Sequence, residues 1–398
     1  MVCHQRMRLG LVNRFYPPDP APTGIEAQIL AGHLVQALPD ASVTVFTTTA
    51  RYRRNRSREA PIPPGIRVVR LASPDLGRAP LPRLLASLID GYCLARQASR
   101  SCDLVISLTD PPLLSLWLQA AARRSGCRWF EWTMDLYPEL LVASGHLGAG
   151  DLFYRWLLGR SSRLRPEGRL CLGPAQQDFL ERQRSHQPPT VILPTGLRSS
   201  PTFAPDPPWD AAPVIACAGN YGEAHPPGAL MALVEAAGAK GWRFLLALHG
   251  SQAPMLRQRL ADHPAVTWRD HLGEAELMAA SAHFVPLKRT ATHLCVPSRA
   301  LTALCLGCPV IFAGDPEADT WRFLARGGVP AGWLLPEEIN GHYRAIDLER
   351  VVASVSDPAE RARCTLAARQ RAREIRADYH QALTQLIGWL RSETRRDS

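Results

Sequence analysis

The chain has 398 residues, of which 46% are hydrophobic and 21% charged, and its net charge is +10. Single cores stop growing near ~250–300 residues, so this length predicts two domains, and this composition excludes a wholly disordered chain. The longest nearly apolar stretch, residues 300–313, is shorter than the ~20 residues that span a bilayer. The first residues lack the apolar region of a signal peptide. We therefore expect a soluble, cytoplasmic protein.

Short apolar runs alternate with amphipathic segments, which is typical of α/β proteins with parallel sheets covered by helices. In the first half the predicted strands are 8–13, 42–47, 66–70, 104–107, 128–133 and 191–193. In the second half they are 214–218, 243–249, 266–268, 283–286, 310–313 and 332–335.

A proline-rich segment, residues 199–213, separates the two series of strands and contains five prolines without periodicity. It predicts a linker between an N-terminal Rossmann-like domain, 1–198, and a C-terminal Rossmann-like domain, 214–370. Residues 371–398 are predicted to form a C-terminal helix and a basic tail.

Arginines are clustered in two places in the first half of the chain. The clusters are Arg51, Arg53, Arg54, Arg56 and Arg58, and then Arg155, Arg160, Arg163, Arg165 and Arg169. They are either a solvated surface or a site of peripheral contact with an anionic membrane, where each basic residue contributes ~1 kcal/mol. No nucleic-acid motif accompanies them, so nucleic acid is not expected as a partner.

The ten cysteines are irregularly spaced, as in a reduced cytosolic protein. Their single Cys-x-x-Cys pair, Cys305 and Cys308, stands where a helix is expected to end. Two cysteines alone cannot form a zinc site, so the pair is interpreted as packing and no metal is expected.

A glycine-containing turn follows the first strand in each half of the chain. The first leads into Thr23, Gly24 and Glu26, where Thr23 and Glu26 match a capping box and Gly24 would allow a ligand to approach the helix N-terminus. The alternative is that this turn is an ordinary strand–helix corner. In the second half, Gly219, Asn220 and Gly222 form a loop at the carboxyl end of a strand, where ligands bind in open α/β sheets. Neither turn has the dinucleotide-binding spacing, which argues against a dehydrogenase.

A cationic segment lies before the strand at 310–313. Pro297 and Ser298 are suited to begin a helix, and Arg299 in its first turn can bind two phosphate oxygens. Lys288 and Arg289 are further cationic candidates after the preceding strand. A structural ion pair or simple exposure would also explain Arg299.

Carboxylates follow the strand at 128–133. Asp135, Tyr137 and Glu139 come after an apolar run, and a carboxylate there can orient a sugar hydroxyl or handle an acceptor proton. Helix capping by Asp135, or a surface charge, is the alternative.

Taken in order, these segments resemble glycosyltransferase family 4, and most closely its branch of bacterial surface-polysaccharide amino-sugar transferases with a PSK-type motif. The matching segments are FYPPDPAPTGIEAQILAGHL, DLYPELLVASGHL, VILPTGL, CAGNYGEAHPPGAL and VPLKRTATHLCVPSRALTALCLGCPVI. They extend over nearly the whole chain in the order of the family.

The resemblance implies a GT-B fold, with two Rossmann-like domains facing each other across a cleft, and a retaining, metal-independent transfer. The N-terminal domain would bind the acceptor, with Tyr137 and Glu139 on that side, and the C-terminal domain the nucleotide-sugar donor. The implied catalytic residues are Asp135, Arg299 and Lys288. The implied donor-binding residues are Gly24, Gly219, Asn220, Gly222, Pro297, Ser298, Arg299 and Thr302.

The chain departs from the family pattern at several positions. The usual pair of glutamates with seven residues between them is absent, because its positions fall near Leu294 and Thr302. Met134 precedes Asp135 where many members have histidine, and Arg299 replaces the usual lysine. His225 is the nearest polar residue where a basic residue often follows the glycine loop.

The predicted function is transfer of a hexose or N-acetylhexosamine from a nucleotide sugar, expected to be a UDP-sugar, to a glycan or lipid-linked acceptor in surface polysaccharide biosynthesis. No cofactor is expected. The alternatives are an inactive GT-B protein that binds a nucleotide or glycan, and a nucleotide-sugar epimerase.

Overall fold

The computed structural model describes residues 6–51, 62–75, 80–197, 203, 212–339 and 341–394, with the backbone alone for residues 80, 81, 83, 393 and 394. These form two compact units. Unit 1 comprises Met1–Leu193 and His380–Ser398, and unit 2 comprises Pro194–Tyr379. Most of the predicted linker 199–213, and the arginines at 53, 54, 56 and 58, lie outside the described residues.

Unit 1 is built on a seven-stranded sheet in the order β3-β2-β1-β4-β5-β6-β7, and every neighbouring pair is parallel. Its strands are β1 (Met7–Val12), β2 (Ala41–Thr48), β3 (Ile66–Leu71), β4 (Leu104–Ser107), β5 (Arg128–Thr133), β6 (Gly168–Cys171) and β7 (Thr190–Ile192). Its helices are α1 (Pro22–Ala37), α2 (Pro80–Ser101), α3 (Leu114–Ser125), α4 (Glu139–Ala143), α5 (Leu152–Ser161) and α6 (Pro174–Gln183).

Unit 2 is built on a six-stranded parallel sheet in the order β10-β9-β8-β11-β12-β13. Its strands are β8 (Val214–Asn220), β9 (Arg243–His249), β10 (Val266–Trp268), β11 (Ala282–Pro286), β12 (Val310–Gly314) and β13 (Gly332–Pro336). Its helices are α7 (Pro227–Gly238), α8 (Ala253–Arg259), α9 (Glu274–Met278), α10 (Ser298–Cys305), α11 (Asp319–Ala325), α12 (Ala345–Ser356) and α13 (Pro358–Thr394), whose last part belongs to unit 1.

The unit 2 sheet is covered by helices on both faces. Ile311 packs with α7, α8 and α12, whereas its neighbours Val310 and Phe312 pack with α10, α11 and α13. Successive side chains of a strand point to opposite faces, so a strand buried on both faces consists of a continuous apolar run. That is why the strands were recognisable in the sequence.

The predicted strands are confirmed, with ends that differ by at most two residues. Only β6 was missed. This short strand carries Arg169, which is buried and forms an ion pair with Glu131 on neighbouring β5 at 3.5 Å. A buried arginine breaks the apolar pattern by which strands are recognised. It also removes Arg169 from the predicted basic surface cluster.

The buried cysteines support the packing interpretation of the Cys305 and Cys308 pair. Both side chains are buried, and burial raises the pKa of the Cys308 thiol to about 12. No helix within the described ranges is long and apolar enough to cross a bilayer.

Candidate functional site

Each sheet has one switch point, which is the place where the chain reverses the direction in which it adds strands. In unit 1 this point lies between β1 and β4, and in unit 2 between β8 and β11. The loops that leave neighbouring strands there diverge to opposite faces, and ligands of open α/β sheets bind in the crevice that this leaves. Several predicted site residues lie beside the switch point of unit 2: Gly219 and Asn220 end β8, and Gly222 and Lys288 follow β8 and β11. Asp135, Tyr137 and Glu139 follow β5, one strand away from the switch point of unit 1.

Arg299, the second residue of α10, is anchored at the switch point of unit 2. Its Nη1 donates a hydrogen bond to the carbonyl oxygen of Ala218 on β8, at 3.0 Å. The guanidinium carbon lies 6.0 Å from the centroid of the Tyr221 ring, within cation–π range. A guanidinium has five N–H donors, so these contacts leave it able to bind an anion.

His225 completes the anchor of Arg299. Its Nδ1 lies 2.7 Å from the carbonyl oxygen of Pro286 on β11, and its Nε2 lies 3.1 Å from Arg299 Nη2. Burial, followed by the charges of Arg299 and Lys288, lowers the pKa of His225 to about 3. The ring is therefore neutral, with Nδ1–H donating to Pro286 and Nε2 accepting from Arg299.

Gly219 provides the space in which Arg299 lies. Both Gly219 and Asn220 belong to β8, which runs further than predicted, so the loop proper begins at Tyr221. Gly219 has φ of +108°, and a Cβ there would lie 3.1 Å from Cδ of Arg299. The glycine is thus explained by backbone conformation and by the arginine. Gly222 follows in the same loop, and its Cβ would meet only the side chain of Asn220 at 3.5 Å.

The start of α10 is packed against the segment that follows unit 1. Pro297 is the N-cap residue and Ser298 the first helical residue, as predicted. The hydroxyl of Thr302 lies 3.1 Å from the carbonyl oxygens of both Gly196 and Ser298. A hydroxyl has one proton to share between them. Thr302 therefore holds the helix in place, and its predicted donor contact stays a prediction.

The loop after β11 carries two cations. The backbone N–H of Lys288 donates to Ala224 O at 2.8 Å, which joins this loop to the loop after β8. Arg289 forms an ion pair with Asp315 at 3.2 Å, and its N–H donates to Glu337 at 2.6 Å. Arg289 is thereby tied to the ends of β12 and β13, whereas the Lys288 side chain is partly buried beside His225.

A cavity of about 520 Å³ opens next to Arg289 at the end of β13. Its lining combines basic and acidic side chains, namely Arg289, Pro336, Glu337, Glu338, Ile339 and Arg344. Burial raises the pKa of Glu337. Sequence reasoning missed this acidic side of the loop cluster, because the sequence does not reveal that the ends of β12 and β13 lie beside the loop that carries Arg289.

The switch point of unit 1 holds a polar network. Thr23 Oγ1 donates to Asp110 Oδ2 at 2.9 Å and lies 3.1 Å from the side-chain amide of Asn13. The predicted capping box is therefore wrong: α1 begins at Pro22, its N-cap is Ala21, and no side chain caps it. The hydroxyl of Thr23 bonds the carboxylate beyond β4 instead of the helix backbone.

Gly24 lies against the chain's own backbone. It is buried in the first turn of α1, and a Cβ there would lie 2.9 Å from the carbonyl oxygen of Phe15. The close approach of the β1–α1 loop explains the glycine without a ligand. Its predicted contact with donor phosphates stays a prediction.

Asp135 follows β5 and is coupled to Asp110. Burial, and then the negative charge of Asp110, raises the pKa of Asp135 to about 7. Burial also raises the pKa of Asp110, which the hydrogen bond from Thr23 opposes. Two interacting carboxyl groups lose their protons in separate steps, so one of them is able to act as a base near neutral pH. Asp110 was missed because the sequence does not reveal that β4 lies beside β1 and β5.

The other predicted acceptor-side residues have structural contacts. Glu139 opens α4 and is buried, and one of its oxygens lies 3.3 Å from Nη2 of buried Arg184. Tyr137 is partly buried, and its carbonyl oxygen accepts a hydrogen bond from Ser161 at 3.4 Å. Within the described residues, no group of three or more His, Cys, Asp or Glu side chains is placed to hold a metal ion.

No protein-family model matches the chain, and no curated protein matches it. Solved structures match its fold over nearly the whole length. Sucrose-phosphate synthase from Thermosynechococcus elongatus has a TM-score of 0.70 and 18% identity, covering 99% of this chain and 100% of that one. WaaG, a glycosyltransferase involved in lipopolysaccharide biosynthesis, has a TM-score of 0.64 and 13% identity, with coverages of 96% and 98%. HepE from Anabaena, solved in complex with UDP-glucose, has a TM-score of 0.62 and 15% identity, with coverages of 96% and 99%.

The chain therefore has the GT-B fold, and glycosyltransferases are among the solved structures that match it. The predicted α/β class, with two Rossmann-like parallel sheets, is confirmed. Identities below one fifth compare folds alone, so activity has to be argued from the site.

Proposed function

We propose that the protein is a retaining glycosyltransferase of the family 4 type that moves a hexose or N-acetylhexosamine from a nucleotide sugar, a UDP-sugar, to an acceptor. Unit 2 binds the donor and unit 1 the acceptor. The observation that carries this proposal is the anchored Arg299 at the N-terminus of α10, held by Ala218 and neutral His225 at the switch point of unit 2.

The chemistry requires stabilisation of a leaving nucleoside diphosphate. As the bond between the anomeric carbon and the diphosphate oxygen breaks, negative charge accumulates on the phosphate. Arg299, Lys288 and the N–H groups at the start of α10 supply positive charge and hydrogen-bond donors for it. Because Arg299 is already held in place, little reorganisation is needed when the charge forms.

The acceptor hydroxyl is proposed to meet Asp135 in unit 1. A carboxylate with a pKa of about 7 is able to accept a hydrogen bond from a sugar hydroxyl, or its proton, near neutral pH. Thr23 and Asp110 set the charge that Asp135 experiences. We further propose that the acceptor is a lipid-linked glycan of surface polysaccharide biosynthesis, met at the inner face of the cell membrane.

The test begins with thermal unfolding in UDP-, GDP-, ADP- and TDP-sugars, because a bound donor raises the melting temperature by mass action. Hydrolysis of the stabilising donor is then measured for Arg299→Ala, Asp135→Asn and the control Arg363→Ala. Arg363 pairs with Glu360 on the surface of the same unit. We expect Arg299→Ala to lower kcat by ~10²–10³ and the control to match the wild type.

Two results would remove this function. Full activity of Arg299→Ala, with correct folding, would contradict the role of the anchored guanidinium. Nucleotide binding by calorimetry without turnover of any donor, with or without a polyprenyl-linked glycan, would instead indicate the inactive binding protein. Proton NMR of the first product formed reports whether the anomeric configuration is retained.

A further inference from the structure

Helix α5 of unit 1 exposes a large apolar face. Leu152, Phe153 and Trp156 have 82%, 58% and 58% of their surfaces accessible to solvent. With 3.6 residues per turn, the spacing i, i+1 and i+4 places them within an arc of about 100° on one side of the helix. A different side of α5 carries its buried residues, Leu157 and Ser161, which hold the helix to the unit. The helix is therefore packed against the unit while this apolar face stays exposed to solvent.

The two aromatic rings of this face are arranged side by side. The rings of Phe153 and Trp156 are stacked, with centroids 6.0 Å apart and planes inclined by 17°. Together with Leu152 they form one continuous apolar surface at the start of α5. Large apolar side chains that are grouped together on a protein surface mark an interaction site, whereas single exposed apolar residues are normal.

Exposed arginines accompany the apolar face along the chain. Arg155, Arg160, Arg163 and Arg165 are exposed, and Asp151 is the one acidic residue between 151 and 165. Arg165 follows α5, and its backbone N–H donates to Gln119 of α3 at 2.6 Å, which fixes the end of the segment to the rest of the unit. The segment from 151 to 165 therefore carries a net positive charge next to its exposed apolar side chains.

We propose that the exposed face of α5 is an attachment surface for an anionic lipid bilayer, in which Leu152, Phe153 and Trp156 enter the boundary between head groups and acyl chains and the neighbouring arginines bind head-group phosphates. Trp prefers this boundary, and basic side chains are attracted to anionic lipid. The surface deepens the proposed function, on which it rests for the lipid-linked acceptor that would be met there.

Its size and composition favour a bilayer over other occupants. A stable protein interface takes ~20–30 residues from each partner, whereas this face offers three apolar side chains from a little more than one helical turn. A single-stranded nucleic acid would stack on the aromatic rings, but it would leave Leu152 without an apolar partner. A bilayer takes up all three side chains and the positive charge together.

Sedimentation with vesicles tests the surface with the full chain. The vesicles are phosphatidylcholine alone, or phosphatidylcholine with phosphatidylglycerol, at low and high salt. The apolar variant is Phe153→Ser with Trp156→Ser. Its matched control is Ile346→Ser with Leu366→Ser, which removes two side chains that are 68% and 64% exposed on α12 and α13 of unit 2. The charge variant is Arg155→Glu with Arg160→Glu.

The wild type and the control are expected to bind the anionic vesicles, more weakly at high salt. The apolar variant should lose more than about tenfold in binding, and the charge variant about 25-fold or more. All variants should keep the wild-type melting temperature and the wild-type hydrolysis of a soluble donor. That hydrolysis separates a failure of the surface from a failure of the proposed function.

The proposal is overturned if the wild type does not bind anionic vesicles at low salt, or if the control loses as much binding as the apolar variant. It is also overturned if the apolar variant converts a wild-type dimer into a monomer in sedimentation equilibrium, because the occupant is then a second copy. Binding to neutral vesicles that equals binding to anionic ones would contradict the role of the arginines.

Discussion

The guanidinium of Arg299 is hydrogen-bonded to the imidazole of His225, with Nη2 and Nε2 3.1 Å apart. The imidazole is in turn bonded to the end of β11 through Pro286, and the guanidinium to the end of β8 through Ala218. A side chain at the start of one helix is thus held by two adjacent strands. The function of Arg299 then depends on a residue that need not touch the substrate.

His225→Ala is expected to weaken donor use by about tenfold, because removing one charge-assisted hydrogen bond costs ~1.5 kcal/mol. The effect should be smaller than that of Arg299→Ala. The measurement is kcat/KM for the donor, with the nucleotide Kd from calorimetry. His271→Ala, which removes an exposed histidine of the same unit, is the control. A His225→Ala protein indistinguishable from the control would show that the anchor is unnecessary.

The low pKa of His225 also predicts a pH dependence of stability. The folded-state pKa of about 3 lies below the ordinary value of 6.5, so the unfolded chain binds the proton more tightly. The contribution of His225 is therefore complete above pH 6.5 and is lost as the pH falls toward 3. Urea unfolding at several pH values should show a smaller loss over this window in His225→Asn than in the wild type. Equal losses in the two proteins would contradict burial of the neutral ring.

Asp110 is expected to set the pH at which Asp135 becomes ionised. Removing the negative charge in Asp110→Asn lowers the pKa of Asp135, so the pH–rate profile for transfer should keep its shape and move to lower pH. In Asp135→Asn the rise near pH 7 should disappear and the rate should fall by ~10²–10⁴. If the profile of Asp110→Asn does not move, the two carboxyl groups are not coupled.

Gly24 and Gly32 of α1 offer a matched pair for the strand–helix corner. A Cβ at Gly24 would lie 2.9 Å from a backbone oxygen, whereas a Cβ at Gly32 would have nothing within 4 Å. Gly24→Ala should lower the free energy of unfolding by about 1–3 kcal/mol because backbone must move. Gly32→Ala should raise it by up to about 1 kcal/mol through helix propensity. Chemical denaturation measures both, and equal effects would contradict the close packing at Gly24.

Substitutions in the buried pair of Glu139 and Arg184 show whether Glu139 has a structural role or a role in acceptor binding. Removing one partner leaves a buried charge unpaired, so Glu139→Gln should destabilise the protein by about 3–5 kcal/mol. Glu139→Leu with Arg184→Met should recover part of that loss. If the double variant is stable and has the wild-type KM for the acceptor, Glu139 is not an acceptor-binding residue. A raised KM in that variant would support the prediction made from the sequence.

The sequence by itself determined which segments of this protein form strands, with the exception of β6. Strands such as β4, β11 and β12 are buried on both faces, so their apolar runs are visible without any knowledge of their neighbours. The helix at Ser298–Cys305 was also recognisable, because Pro297 begins it and Gly307, with φ of +77°, follows its end. Local sequence is sufficient to predict secondary structure wherever a residue's own backbone preference decides its conformation.

Only the tertiary structure decided which polar residues meet. The sequence predicts Thr23 as a helix cap, yet its hydroxyl donates a hydrogen bond to Asp110, 87 positions away in the chain. His225 meets Arg299, and Arg169 is buried beside Glu131, for the same reason. A parallel sheet places the carboxyl ends of distant strands at one edge in an order that the chain direction does not reveal. The partner of a buried polar group depends on that order, because the group must bond whichever donor or acceptor the neighbouring strand provides.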